Sequence, residues 1–336
     1  MILIDALYIN NGGGKVLLDY LISNLEKTDK KIFYLFDVRV KNNLSFDFKE
    51  SNTVVFLKAS MMNRFKFYNQ NKKNFTTVLC FGNLPPNIRL EGVVYTYFHQ
   101  LMYLSVPIDF SYFDKLKFWL KVQVLTQFKK NTNIWLVQSN IIKQKFIAKY
   151  NINEKQVLIC PFYPPIFKEN QIERKKHTYI YVSNPTPHKN HLRLIEAFCD
   201  FYDSYKKGKL ILTIDDSNQE VNNLLNLKKD RGYPIVSIGF VSREKLMPLY
   251  CESEYLIFPS LAESFGLGLV EAIECGCKIL GADLPYMHEI CEPSLVFNPY
   301  DKQAIYKCLS LSLETELPPS KSKINNKIND LLDLLK

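Results

Sequence analysis

Several common classes of protein are excluded by what this 336-residue chain lacks. No run approaches the roughly 18 consecutive apolar residues that a membrane-spanning helix needs. The opening, MILIDALYINNGGG, has neither the basic start nor the small-residue cleavage site of a secretion signal, and it reads as a buried first strand. The eight cysteines are scattered and form no CxxC pair, which points to reduced thiols in a cytosolic protein rather than a disulfide frame or a zinc site. There is no HExxH, no Cys/His cluster at ligand spacing and no Asp-x-Asp pair of the kind that holds a divalent ion; Asp215-Asp216 is adjacent and reads as a strand-end turn. Short internal repeats and low-complexity segments are absent too.

What is present is a globular composition, 47% hydrophobic, with enough length for two domains of ordinary size. The net charge of +9 is unevenly spread. Residues 1–170 hold 23 Lys and Arg against 12 Asp and Glu, while residues 171–336 hold 20 against 22. The excess therefore belongs entirely to the first half, and it points to a polyanionic partner, an anionic membrane surface or nucleic acid. The stretches 63–75 and 113–130 interleave Lys and Arg with Phe, Tyr and Trp, as a helix resting in a lipid headgroup layer does; an ordinary amphipathic helix explains the same pattern. Nucleic acid is the weaker reading, since no known binding motif accompanies the charge.

Runs rich in Val, Ile, Tyr and Phe alternate with amphipathic helical stretches through both halves, the pattern of parallel sheets covered by helices. Seven strands are expected in the first half, starting at 2–9, and the pattern restarts at 178–183. The proline-rich, charged stretch 161–178 separates the halves, and Pro318-Pro319 makes a second break before a final helical stretch. The expected division is 1–165, 166–317 and 318–336, with the last segment packing back on the first domain.

The most informative segment is AESFGLGLVEAIECGCKILGADLPYMHEI, in which Glu263 lies on a loop and Glu271 on the helix that follows. Gly266 and Gly268 free backbone amides where the helix begins, and unpaired amides at a helix N-terminus bind anions such as phosphate. Carboxylates on either side accept hydrogen bonds from sugar hydroxyls. The segment reads as a site for a sugar joined to a phosphate.

Taken with YVSNPTPHKNHLRLIEAF (181–198) and GFVSREKLMPLY (239–250), this segment resembles the signatures of retaining glycosyltransferases of family 4. The likeness covers residues 178–300; in the first half it rests on the glycine loop after the first strand, on His99 and on VQSNIIKQKFIAKYNINEKQVLICPFYP. It implies the GT-B fold: two Rossmann-like parallel-sheet domains facing across a cleft, the first binding the acceptor and the second the nucleotide sugar. It further implies catalytic roles for His99, Lys189 and Glu263. Glu271 would grip the ribose and Glu263 the donor sugar, while Lys189 neutralises the diphosphate as its charge grows. Phe265, Gly266, Leu267, Gly268 and Leu269 would line the nucleotide-sugar site, and Gly12, Gly13 and Gly14 would let first-half backbone approach the phosphates.

One position departs from the family pattern. Many members have Arg five residues before the diphosphate Lys, where this chain has Asn184, so Lys189 carries more of the charge, aided by His188 or Arg193. The reaction implied is transfer of a hexose from a nucleotide diphosphate sugar to a lipid-linked bacterial oligosaccharide, as in O-antigen or capsule assembly. No metal or other cofactor is expected, and the enzyme is expected on the inner face of the cell membrane. Three rivals remain: a sugar-nucleotide epimerase of the same fold, a catalytically silent binding subunit, and a dinucleotide-dependent oxidoreductase. GGGK lacks the spaced order of the dinucleotide fingerprint, and that last rival leaves the second-half series unexplained.

Overall fold

A computed structural model describes residues 1–44, 46–106, 110–166 and 172–336, and of Asn43 the backbone alone. Part of the proline-rich separator, residues 167–171, lies outside the described residues. The chain divides into two compact units, Met1–Pro164 with Asn325–Lys336, and Pro165–Ile324.

The first unit is built on β1 (Ile2–Ala6), β2 (Ile32–Asp37), β3 (Thr53–Leu57), β4 (Thr77–Cys80), β5 (Val93–Phe98), β6 (Ile134–Val137) and β7 (Val157–Ile159). They form one parallel sheet in the order β3-β2-β1-β4-β5-β6-β7. Every residue of β1 is buried, which is why its sequence runs apolar without alternation: helices cover both faces. The helices of this unit are α1 (Gly12–Leu25), α2 (Met61–Gln70), α3 (Tyr112–Phe128) and α4 (Asn140–Tyr150). In α2, Phe67 and Tyr68 pack with Leu3, Leu35, Phe75, Val78 and Val94. These aromatics of the 63–75 stretch therefore belong to the core and not to a lipid-facing surface.

The second unit carries β8 (Lys175–Tyr181), β9 (Lys209–Leu212), β10 (Ile235–Ser237), β11 (Ser253–Phe258), β12 (Lys278–Ala282), β13 (Cys291–Glu292), β14 (Leu295–Phe297) and β15 (Lys321–Ser322). Six of them make a parallel sheet in the order β10-β9-β8-β11-β12-β14. The short β13 and β15 pair antiparallel, a ribbon that the sequence pattern does not announce. Its helices are α5 (His191–Tyr205), α6 (Gln219–Asp230), α7 (Arg243–Glu252), α8 (Leu267–Glu274), α9 (Pro285–Ile290) and α10 (Lys302–Glu314).

After β15 the chain rejoins the first unit, ending in α11 (Ile328–Leu334). Leu331 and Leu335 are buried there, the Lys327 amide donates to the Pro161 carbonyl at 2.8 Å, and the Thr77 hydroxyl donates to the Lys336 carbonyl at 2.6 Å. The final helix thus packs back on the first sheet's unit.

Candidate functional site

In an open parallel sheet, ligands bind at the carboxyl ends of strands where the strand order reverses direction. In the second unit that point falls between β8 and β11, because β9 and β10 follow on one side and β12 and β14 on the other. The loop leaving β8 carries Asn184 and Lys189; the loop leaving β11 carries Glu263 and Phe265 and enters α8. The two loops are tied together, the Leu261 amide donating to the His188 carbonyl at 2.7 Å.

Lys189 sits at the end of a single 3-10 turn, and its carbonyl accepts from the Tyr181 hydroxyl at 2.9 Å. Asn190 follows in the left-handed region and is buried, donating its carboxamide to the carbonyls of Pro259 and Pro299. With the turn so held, the Lys189 ammonium meets the Glu263 carboxylate in a direct ion pair and lies 6.0 Å from the centre of the Phe258 ring. Arg193 does not add to that charge: its guanidinium is committed to Asn190 Oδ1 at 2.5 Å and to the Pro299 carbonyl at 3.2 Å. Nor does His188, since burial and then the neighbouring Lys189 charge lower its pKa to about 4. Asn184 is exposed, with its carbonyl accepting from the Thr186 amide at 2.8 Å.

Helix α8 starts at Gly266, whose φ of +66° is in the left-handed region. That conformation calls for glycine, and a Cβ there would stand 2.9 Å from Leu269 Cδ1, so the leucine side chain would have to shift. Leu267, Gly268 and Leu269 form the first turn, in which the Leu269 amide donates to the Gly266 carbonyl at 2.8 Å. Phe265 and Leu269 are buried. One turn on, Glu271 is buried and accepts from Arg243 Nε of α7 at 2.9 Å. Burial raises the Glu271 pKa, and the hydrogen bond and charge of Arg243 act against that rise.

In the first unit the strand order reverses between β1 and β4. The loop after β1 leads into Gly12, Gly13 and Gly14, which make the first turn of α1, with Gly12 at φ +63°. His99 directly follows β5; its amide donates to Asn83 Oδ1 at 2.7 Å, and its ring meets Phe81 and Tyr97 edge-on. A Cβ on Gly14 would lie 3.2 Å from His99 Cε1, so the glycine loop and the histidine are neighbours. Burial lowers the His99 pKa to about 4, leaving the ring neutral at pH 7.

Two groups escaped the sequence reading. Arg243 lay inside the quoted GFVSREKLMPLY stretch but carried no signal of its own, because its partner is 28 residues away. Tyr250, two turns further on α7, is fully buried, and its hydroxyl has no hydrogen-bond partner among the described residues.

Comparison with proteins of known structure defines the fold. Sucrose-phosphate synthase from Thermosynechococcus elongatus superposes with a TM-score of 0.71 over 93% of this chain and 89% of that one, at 15% identity. HepE from Anabaena in complex with UDP gives 0.66 over the same shares, at 14% identity. The fold is GT-B, two Rossmann-like parallel-sheet units in one chain. Residues 163–329, a span that takes in the second unit, match the family Glycosyl transferases group 1. Among curated relatives, the O-antigen chain mannosyltransferase RfbU of Salmonella typhimurium is 25% identical over 232 residues. That alignment takes in 68% of this chain and 62% of RfbU, less than two thirds of the relative's length.

Proposed function

We propose that the protein is a hexosyltransferase of the retaining family 4 type, which moves a sugar from a nucleotide diphosphate donor to a glycan acceptor in O-antigen or related surface polysaccharide assembly. The observation that carries the reading is the grouping, at the switch point of the second sheet, of the Lys189–Glu263 pair with the glycine-started α8 and its Glu271. The likeness to RfbU supports a mannosyl donor and an O-antigen acceptor; HepE, seen with UDP, supports nucleotide binding on this scaffold.

On this reading the diphosphate meets Lys189 and the first-turn amides of α8, the ribose diol meets Glu271, and Glu263 turns to the sugar hydroxyls. The anomeric carbon–oxygen bond to the diphosphate breaks as the acceptor oxygen bonds to the same face of the sugar. The acceptor proton passes to the departing phosphate oxygen, so the anomeric configuration is retained. The charge that grows on the diphosphate is met by the Lys189 ammonium and by the partial positive charge of helix-end amides, fixed groups that take the place of a metal ion. In the first unit, neutral His99 offers hydrogen bonds to a sugar hydroxyl, and Gly13 and Gly14 let backbone approach a phosphate. A lipid-linked acceptor brings the enzyme to the inner membrane face, with the basic first half against anionic lipid.

Radiolabelled transfer from GDP- and UDP-hexoses to a lipid-linked acceptor fraction tests this directly. Transfer by the wild type that falls at least a hundredfold in both Lys189→Ala and Glu263→Ala, and that survives EDTA, is the expected result. Nucleotide released without an acceptor favours an epimerase, and undiminished transfer in both variants removes the site assignment.

A further inference from the structure

Helix α7 presents Arg243, Leu246 and Tyr250 at intervals of three and four residues, the spacing of a single helix face. Leu246 and Tyr250 are buried. Against this face lies the start of α8: a Cβ on Gly268 would stand 3.1 Å from the Tyr250 hydroxyl, and Glu271 meets Arg243 one turn later. The approach is close enough that glycine is the residue that fits at 268 without displacing Tyr250. The two helices therefore meet with little slack at the point where the carboxylate must be aimed.

We propose that Arg243 is a positioning residue for the nucleotide grip, holding the Glu271 carboxylate ionised and fixed in direction so that its second oxygen is presented to the ribose diol. The inference rests on the ribose role given to Glu271 above. The geometry behind it is the Nε contact at 2.9 Å to Oε1, between a carboxylate of 6% side-chain exposure and a guanidinium of 28%. A carboxylate buried so deeply is driven toward its neutral form, and a neutral acid loses acceptor capacity and gains a proton that the diol does not need. The groups acting on Glu271 are few. Arg243 opposes the rise in its pKa, and Glu274, one turn further on α8, adds to it; Tyr250 on α7 and Cys275 at the end of α8 are uncharged at neutral pH, their own pKa values raised chiefly by burial. Arg243 is thus the cation that keeps this carboxylate charged. A flexible ammonium would supply the charge but not the direction, because a guanidinium presents its donors in a rigid plane.

Calorimetric binding of UDP and GDP, each against its 2′,3′-dideoxy analogue, between pH 5 and 8 tests this role apart from turnover. Wild-type protein is expected to prefer the diol form of its nucleotide by at least about tenfold. Arg243→Gln should lose most of that preference at pH 6 and recover part of it at pH 8, because without the cation the Glu271 pKa moves upward. Arg243→Lys should keep the wild-type pH midpoint and lose about threefold in preference; should Arg243→Gln fail to fold, this variant carries the test. Wild-type preference and midpoint in both variants, or in Arg243→Lys if it alone folds, overturn the proposal. Glu271→Gln separates the two levels of the argument. If it keeps the full diol preference, the ribose assignment falls and takes this inference with it. If it loses the preference while the Arg243 variants keep theirs, only the positioning role is overturned.

Discussion

At the scale of single residues, the first and second units share one device: histidines held neutral. The folded-state pKa of His99 is lowered to about 4 by burial, and that of His188, also first by burial, to about 4. Between the ordinary histidine value near 6.5 and these values, the unfolded chain binds protons that the folded chain refuses. Their contribution to stability is therefore present near pH 7 and is lost as the pH falls toward 4. Urea unfolding of His99→Gln should show a drop between pH 7 and pH 5 that is smaller than the wild-type drop by about 1–2 kcal/mol; equal drops would contradict the neutral ring. Tyr250 offers a second check. Its buried hydroxyl has no partner among the described residues, and desolvating such a group costs about 1–3 kcal/mol. Tyr250→Phe is accordingly expected to raise the stability of the ligand-free protein by about 1 kcal/mol. A loss of that size would mean that the hydroxyl is engaged after all.

At the scale of elements, α2 and α3 share a composition and differ in fate. Arg64 of α2 is buried in an ion pair with Asp5 at 2.7 Å and donates to the carbonyls of Leu84 and Pro85 just past β4. It braces the loop that contains Asn83, the acceptor for the His99 amide. Helix α3 does the reverse. Tyr112, Phe113 and Trp119 are 77%, 81% and 55% exposed, Leu116 and Leu120 are exposed beside them, and Lys115 and Lys117 are exposed on the same helix. Exposed aromatics interleaved with lysine suit an anionic lipid surface, where rings enter the headgroup layer and ammonium groups meet phosphate. Co-sedimentation with phosphatidylcholine vesicles containing phosphatidylglycerol is expected for the wild type. The double variant Phe113→Ser, Trp119→Ser should bind at least about tenfold more weakly, since each ring buried is worth about 1.5–3 kcal/mol. Unchanged binding would remove α3 as the contact.

At the scale of the whole molecule, the chain leaves its first unit, builds the second and returns. Asn326 donates to the Tyr163 carbonyl at 2.6 Å, and Leu331 and Leu335 complete the first unit's core. Deleting residues 325–336 should therefore destabilise the first unit, by about 3–6 kcal/mol for the two leucines, and spare the second. Calorimetry is expected to show one transition moved down and another in place. A common shift of both would mean that the two units unfold together.

Sequence alone determined the alternation of strands and helices in both units, because burial of a sheet between helices imposes apolar runs and helical spacing that are local properties of the chain. It also singled out the two carboxylates and Lys189 as candidates, since a glycine-started helix after a strand and its flanking motifs are contiguous. Tertiary structure decided the partnerships: Lys189 with Glu263 across 74 residues, Arg243 with Glu271 across 28, and Arg193 committed to Asn190 instead of standing beside Lys189. It decided as well that α2 turns Phe67 and Tyr68 inward while α3 leaves Tyr112, Phe113 and Trp119 in water. Such outcomes depend on which strands become neighbours and which helix face the sheet covers, and no window of sequence contains that information.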